Sequence, residues 1–367
     1  MEESFILLLF SLLCVVQIAF LTLFLIGFLK KKPVQTNLAI PVSVVVCAHN
    51  EEQNLKILVP QLLDQDYPEF EVVVVNDRSS DGTLEYLTGV SLKEPRLRVI
   101  NVDHVPDHVN GKKFGLTIGI KGARYETILF TDADCVPKSK NWVKSMAAGF
   151  SPGIEIVLGY SPYLKSRGFL NSFIRYETLF TAMQYLGFAL LKFPYMGVGR
   201  NLGYKKSLFL SNKGFYKHLN VNGGDDDLFI NQHARKDNTA VVMGADSLMF
   251  SIPHHEFSSF FKQKIRHLKV GVLYKFKHKL LLGIFMGTQL SLWPMLFWTS
   301  QMSIFGWTGG IFAVKTLFLI FCIKIIVKAL GDRFEYGWVP FLDFLFFIYY
   351  ISTALKSIVT KKATWRT

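Results

Sequence analysis

In TILFTDADCVP, Thr127 to Pro137, three apolar residues run straight into Asp132 and Asp134, two carboxylates two positions apart. A short, wholly apolar run reads as a strand buried on both faces, the kind found in parallel sheets. Ligands of open α/β sheets bind beyond the carboxyl ends of the strands, so an Asp-x-Asp placed there suits a metal-bound phosphate. While the strand lasts, its period of two aims both carboxylates the same way. The bland alternative is an ordinary strand-ending turn, closed by Pro137.

Upstream, the same strand-then-acid pattern recurs. Pro41 to Ala48 (PVSVVVCA) reads as a buried strand, followed by Asn50 as a helix N-cap with Glu51 and Glu52 in the first turn. Leu55, Leu58, Val59, Leu62 and Leu63 then repeat at helical spacing. Glu71 to Val75 is a second strand that delivers Asn76 and Asp77, and RSSDG (Arg78 to Gly82) turns the chain into a helix from Thr83. Arg96 to Asn101 is a third strand and Lys112 to Ala123 a glycine-interrupted helix that leads into the opening stretch. Strand and helix alternating in this way predict a mostly parallel sheet with helices on both faces.

Downstream, Trp142 to Phe150 reads as a helix and Ile154 to Tyr160 as a strand. Phe169 to Phe188 is a greasy helical stretch, either core or a helix lying on a membrane surface; its aromatics and the nearby Lys165, Arg167, Arg175 and Lys192 favour the surface. Asn222 to Asp227 (NGGDDD) opens a helix over Leu228 to Arg235, and Ala240 to Met243 is a last strand.

The chain has 367 residues, half of them hydrophobic and unevenly spread, which points to a membrane protein with one large polar domain. Phe5 to Leu29 carries no charge and is long enough to cross a bilayer. Its length, Glu2 and Glu3 before it, and no small-residue cleavage site after it favour an uncleaved helix over a signal peptide. Lys30, Lys31 and Lys32 follow, so the next domain is expected in the cytoplasm. From Phe257 to Lys279 aromatic and aliphatic residues recur every three or four positions among lysines, as in a helix lying among lipid head groups. Leu280 to Met302, Ile304 to Val327 and Trp338 to Leu355 read as further spans, although three spans would put Lys361, Lys362 and Arg366 outside, so the last segment is alternatively re-entrant or interfacial. Lys315 and Asp343 fall inside these segments and are expected to face protein or water. The organisation expected is therefore a membrane helix over 1–33, an α/β domain over 34–256, a basic interfacial helix over 257–279 and a membrane region of two to three spans over 280–367.

The net charge of +13 is explained by cations flanking apolar segments, where they meet anionic lipids; no nucleic-acid module is present to claim them. Cys14 and Cys322 fall in expected membrane helices and Cys47 and Cys135 at strand positions, with no CxxC spacing, so neither a disulfide framework nor a zinc site is suggested.

VSVVVCAHNEE, VVVVNDRSSDGT, NGKKFGLTIGIKGA, ILFTDADCVP, GVGRNLGYKKSLF, GGDDDLFINQHA and KQKIRHLKVG occur in one order. From Pro41 to Gly271 this order resembles the membrane-bound family 2 inverting glycosyltransferases of the GT-A fold. The resemblance implies an α/β GT-A domain flanked by transmembrane helices. It implies a nucleotide-sugar donor held by Ala48, Asn50, Glu51, Asp77, Lys112 and Asp132, with Asp134 as the ligand of Mg²⁺ or Mn²⁺. Asp225 or Asp226 is then the base that takes the acceptor's proton, Asp227 a neighbour, and Arg266 the group that neutralises the leaving diphosphate. Gln263, His267, Arg200 and Asn201 fall on the acceptor or diphosphate side. His267 stands where the family usually has Trp, which disfavours long-chain polymerisation.

The leading expectation is metal-dependent sugar transfer with inversion, at the cytoplasmic face of the cell membrane, to a lipid-linked or membrane-proximal acceptor. A processive polysaccharide synthase is the second reading and a non-catalytic transferase-like subunit the third. The complete acidic set disfavours the last.

Overall fold

The computed structural model describes residues 2–31, 39–107, 109–253 and 256–359. Lys32, the proposed boundary at 33, and Lys361, Lys362 and Arg366 lie outside them. The elements in chain order are α1 (Glu2–Lys30), β1 (Val42–Ala48), α2 (Glu52–Leu63), β2 (Phe70–Asp77), α3 (Thr83–Ser91), β3 (Leu97–Val102), α4 (Gly111–Gly122) and β4 (Thr127–Phe130). They continue with β5 (Cys135–Pro137), α5 (Trp142–Ala147), β6 (Ile156–Leu158), α6 (Phe169–Leu190), β7 (Leu202–Lys205), α7 (Lys206–Ser211), α8 (Asp227–His233), β8 (Thr239–Val241) and β9 (Met249–Ser251). The chain then runs through α9 (Phe257–Gly271), α10 (Phe276–Thr299), α11 (Phe305–Leu330) and α12 (Val339–Val359).

Alternation along β1 and β2 divides the interior. Val42, Val44, Val46, Val72 and Val74 face a core closed by α2 and α5, through Leu55, Leu58, Trp142 and Met146. Val45 and Val73 face the other core, which holds Leu116 and Ile120 of α4 together with much of α6. The main sheet has the order β3-β2-β1-β4-β7-β6-β8. β7 runs antiparallel to both its neighbours, and every other pair is parallel. The mostly parallel α/β expectation holds, with β7 as the strand that the sequence did not announce. Its backbone comes so close to β4 that a Cβ on Gly203 would lie 2.7 Å from the Leu129 side chain.

α6 corrects a second expectation. It is not a surface helix: Phe173, Ile174, Tyr176, Phe180, Met183, Tyr185, Leu186 and Phe188 are all buried. Its aromatics fill the space between the sheet and the apolar helices, and one core runs continuously from Ile128 and Ile156 to Leu21, Phe24, Phe285 and Ile323. Phe24 and Phe188 meet edge to face at 4.9 Å, and Phe20 and Phe285 at 5.2 Å. α1 packs this closely on α6 because Gly187 faces it, where a Cβ would lie 2.5 Å from the Phe24 ring.

Among the described residues four helices, α1, α10, α11 and the segment Tyr336–Val359, are long and apolar enough to cross a membrane. α1, α10 and α11 pack on one another, whereas α12 packs mainly on α9 and α6. The basic helix is shorter than its spacing suggests, since α9 stops at Gly271 and α10 begins at Phe276.

Lys315 and Asp343 face each other inside the protein, with Nζ 3.6 Å from Oδ2 and both side chains 1% exposed. Asp343 also accepts hydrogen bonds from Tyr176 and Gln289, each at 2.8 Å. Removing one partner of such a pair strands a charge, whereas removing both need not destabilise. Asp343→Ala is therefore expected to lower the melting temperature in detergent by roughly 5 °C or more. The double variant Lys315→Met, Asp343→Leu should recover most of that loss, and equal instability of single and double variants would contradict the pairing.

Candidate active site

The carboxyl ends of β1, β2 and β4 lie side by side, in the register Ala48 to Asn76 and Val45 to Phe130. β1 delivers Ala48, Asn50 and Glu51. Asn50 is not the helix cap expected of it: it holds a left-handed φ of 55°, and α2 starts at Glu52 with Glu51 at the capping position. Its side chain instead accepts from the Ser80 N–H at 2.7 Å, joining the turns that follow β1 and β2. Asp77, at the end of β2, is buried and accepts from Arg78 Nε at 2.7 Å.

β4 ends at Phe130, so Asp132 and Asp134 stand on the short turn into β5 rather than on the strand. Asp132 Oδ1 accepts from Lys112 Nζ at 2.9 Å. Burial, and then the charge of Asp132, push the Asp134 carboxyl up to about 6, with Arg200 opposing them. Asp132 lines the cavity described below and Asp134 does not. The two carboxylates on this one turn, one of them under-compensated, are hard oxygen donors of the kind that fits Mg²⁺ or Mn²⁺. Among the described residues no group of three His, Cys, Asp or Glu gathers here, so the remaining ligands of a cation would be substrate oxygens and water.

Lys112 comes from the first turn of α4 and reaches Asp225 Oδ2 as well, at 3.3 Å, linking the Asp-x-Asp turn to the acidic triplet. Its neighbour Lys113 is buried and donates to the carbonyls of His218 and Val221 at 2.6 and 2.8 Å, which anchors the loop before the triplet. That loop turns on Gly223 and Gly224, both at positive φ, and a Cβ on Gly224 would lie 2.6 Å from the Leu228 side chain.

The three carboxylates fall into different surroundings. Asp225 lies before the helix; burial would raise it, but Lys112 holds it below the usual carboxylate range. Asp226 is the cap of α8, accepting from the N–H groups of Gly199 and Asp227, each at 2.7 Å, and is pushed up by burial and by Asp225. Asp227, the first helical residue, accepts from Tyr274 at 2.7 Å, and burial followed by Asp226 holds it well above the usual range.

Over these groups opens a cavity of about 480 Å³. Lys112, Asp132, Arg200 and all three carboxylates of the triplet line it at the sheet end, and Gln263, Lys264, Arg266 and His267 of α9 line one side. Leu282, Gly283 and Met286 of α10 and Phe346 and Tyr350 of α12 also line it. Arg200 stacks over Tyr163 at 4.8 Å and donates to Ser251 at 2.9 Å. Burial, with Arg266 and Lys264 adding to it, holds His267 well below the ordinary histidine range, so its ring is neutral.

Asn201 does not join the site. It is fully buried, donates to the carbonyls of Tyr160 and Ser247, and accepts from Trp142 Nε1 at 3.0 Å. Sequence reasoning also passed over cavity residues. Tyr195 and Tyr274 carry no local signature, but Glu177, Thr181 and Gln184 are polar positions at spacings of four and three inside an apolar stretch, and that pattern was readable.

Residues 43–209 match the profile of Glycosyl transferase family 2. An uncharacterized glycosyltransferase of Haemophilus influenzae is 31% identical over 105 residues, 29% of this chain and 31% of that protein. The poly-beta-1,6-N-acetyl-D-glucosamine synthase of Staphylococcus epidermidis is 30% identical over 118 residues, 30% of this chain and 27% of that protein. The chain thus spans about a third or less of the length of these curated relatives. Among solved structures, a mannosyltransferase from Pyrobaculum calidifontis, in complex with GDP-Man and Mn²⁺, shares the fold with a TM-score of 0.61 at 17% identity. That similarity covers 96% of this chain and all of the other, so it includes the apolar helices.

Proposed function

Since residues 43–209 are a family 2 glycosyltransferase domain on the GT-A fold, we propose that this chain transfers a sugar from a nucleotide donor to a membrane-held acceptor. The transfer inverts the anomeric carbon, depends on Mg²⁺ or Mn²⁺, and takes place at the cytoplasmic face of the membrane on a lipid-linked or membrane-proximal hydroxyl. One observation carries this reading: a single cavity runs from the acidic residues at the sheet edge to residues on the apolar helices α10 and α12. The GDP-Man and Mn²⁺ bound by the similar mannosyltransferase support a nucleotide-sugar donor and a divalent cation.

In this reading Ala48, Asn50, Glu51 and Asp77 hold the nucleotide, and Asp132 meets its ribose or sugar. Asp134 holds the cation, which when bound supplies Lewis-acid stabilisation to the leaving diphosphate. Lys112 and Arg266 add positive charge on the same side. Asp226 takes the proton of the attacking hydroxyl. Asp225 is the poorer base because Lys112 holds its charge, whereas Asp226 is raised and still lines the cavity. Single addition is favoured over threading of a polymer, because the rings of Phe20, Phe24, Phe188 and Phe285 fill the helix bundle beside the cavity.

The reading is tested with the purified chain by screening sugar nucleotides for nucleoside diphosphate release in Mg²⁺ or Mn²⁺. Release indistinguishable from that of Asp134→Ala would reject it. The acid limb of the rate profile gives a second test. Asp226 works ionised, so turnover falls as pH drops through its raised pKa. Asp225→Asn removes a neighbouring negative charge, makes Asp226 easier to ionise and is expected to move that limb to lower pH. An unmoved limb, or a shift upward, would exclude Asp226 as the titrating base.

A further inference from the structure

We propose that the acceptor presents a neutral, hydroxyl-bearing ring, the sugar of a glycolipid, seated on Glu177, Thr181 and Gln184 of α6. This deepens the transferase reading and rests on it, because it names the acceptor of the same cavity.

Glu177, Thr181 and Gln184 share one face of α6 and line the cavity wall. Gln184 is 8% exposed; its Oε1 accepts from Tyr195 at 3.0 Å, while Nε2 has no hydrogen-bond partner among the described residues. A buried amide donor left unsatisfied is unfavourable, and an oxygen of a bound molecule would relieve it.

The charges on this wall decide the chemistry of that molecule. Lys264 lies against Glu177 in an ion pair and Lys112 lies between Asp132 and Asp225, so each of these cations already faces a carboxylate. Of the two arginines on the lining, Arg200 stacks on Tyr163, donates to Ser251 and feels the charges of Asp132 and Asp134, and Arg266 is the cation that the proposed reading gives to the leaving diphosphate. His267 is neutral. A phosphate-headed acceptor would bring one to two negative charges toward Glu177 and the triplet Asp225 to Asp227. It would also be ionised before it attacked and would leave the base without a task. A sugar ring needs that base at its attacking hydroxyl, and elsewhere it needs neutral donors and acceptors with aromatic faces, as Thr181, Gln184, Tyr195 and Tyr350 provide. Phe180, Met286 and Phe346 supply apolar lining in the same cavity, suited to a tail. In the reaction the acceptor oxygen bonds to the anomeric carbon as the bond from that carbon to the diphosphate breaks, and Asp226 receives the hydroxyl proton.

The test uses the full chain in phosphatidylcholine nanodiscs, with nucleoside diphosphate release from a panel of sugar nucleotides as the readout. Octyl β-glucoside, octyl β-galactoside and octyl β-N-acetylglucosaminide are the glycolipid probes, free cellobiose the soluble one, and dodecyl phosphate the anionic one. At least one octyl glycoside should accelerate release well above cellobiose, while dodecyl phosphate should not. Gln184→Met, close to glutamine in length, should raise the half-saturating glycoside concentration about tenfold with a much smaller change in maximal rate. Thr181→Val should shift it in the same direction, which guards against a misfolded first variant. Acceleration by dodecyl phosphate alone, stronger acceleration by cellobiose, or half-saturation unmoved in both variants would overturn the proposal. A fall in maximal rate together with melting temperature, at constant half-saturation, would make Gln184 a structural residue and overturn it as well. Donor turnover into water without acceptor response refutes the acceptor site alone, whereas no release from any donor rejects the transferase reading and the acceptor site with it.

Discussion

Asp226→Asn is expected to lower turnover by roughly 10²-fold or more with donor affinity nearly intact, because general-base assistance is typically that large. Asparagine keeps the shape of the α8 cap but only one acceptor oxygen, so it accepts from one of the two N–H groups, Gly199 or Asp227, that the two carboxylate oxygens hold, and an unchanged melting temperature checks that the turn survives while the proton acceptor is lost. Asp225→Asn should be milder, since it removes a counter-ion of Lys112 rather than the base. Asp227→Asn should be mildest in the chemical step, because burial followed by the charge of Asp226 holds its carboxyl well above the usual range, which leaves it the least ready of the three to act as an ionised base. Single-turnover rates and donor binding for the three variants decide the order. If all three kept near-normal turnover on a confirmed acceptor, inversion assisted by this triplet would have to be abandoned.

Asp134→Ala is expected to remove metal-stimulated turnover, by about 10³-fold, since the charge stabilisation lost at the leaving diphosphate amounts to several kcal/mol. The fold should persist. Asp134 stands on a turn, and the bond that ties this turn to the segment after β9 runs from the Ile252 N–H to the Asp134 carbonyl, which the substitution leaves in place. Chelation of the wild-type protein should reproduce the loss, and added Mn²⁺ should restore the wild type but not the variant. Full Mn²⁺ stimulation in the variant would move the cation away from Asp134.

The parts legible in the sequence were those governed by local pattern. Short apolar runs read as the buried strands β1, β2 and β4, whereas β3 is a half-exposed edge strand, and all four stand within a residue or two of their expected positions. Acids at strand ends were legible for the same reason: a carboxylate beside a buried run must find a partner. β7 escaped because its four residues, Leu-Gly-Tyr-Lys, owe their conformation to neighbours distant in sequence, Leu129 and Val157. α6 reads from sequence as either core or a surface helix, with the surface favoured, because aromatic residues look alike whether they meet lipid or protein, and only the assembled core distinguishes the two. The Lys315 and Asp343 pair was anticipated as inward-facing, yet its partners Tyr176 and Gln289 come from helices far off in sequence. Within the triplet, three identical side chains were separated only by what surrounds each of them.

The polar domain is fastened to the apolar helices at several points. Lys138 donates to the Gly331 carbonyl, Arg175 pairs with Glu335, and Gly331 presses so closely on Ala245 that a Cβ there would lie 2.2 Å from its nitrogen. A domain held this way does not dip toward the bilayer to fetch a lipid. On the function proposed above, an acceptor embedded in the membrane would reach Asp226 by lateral diffusion, a search in two dimensions. Its effective concentration is then its mole fraction among the surrounding lipids: diluting the bilayer with inert phospholipid slows the reaction, and diluting the suspension with buffer does not.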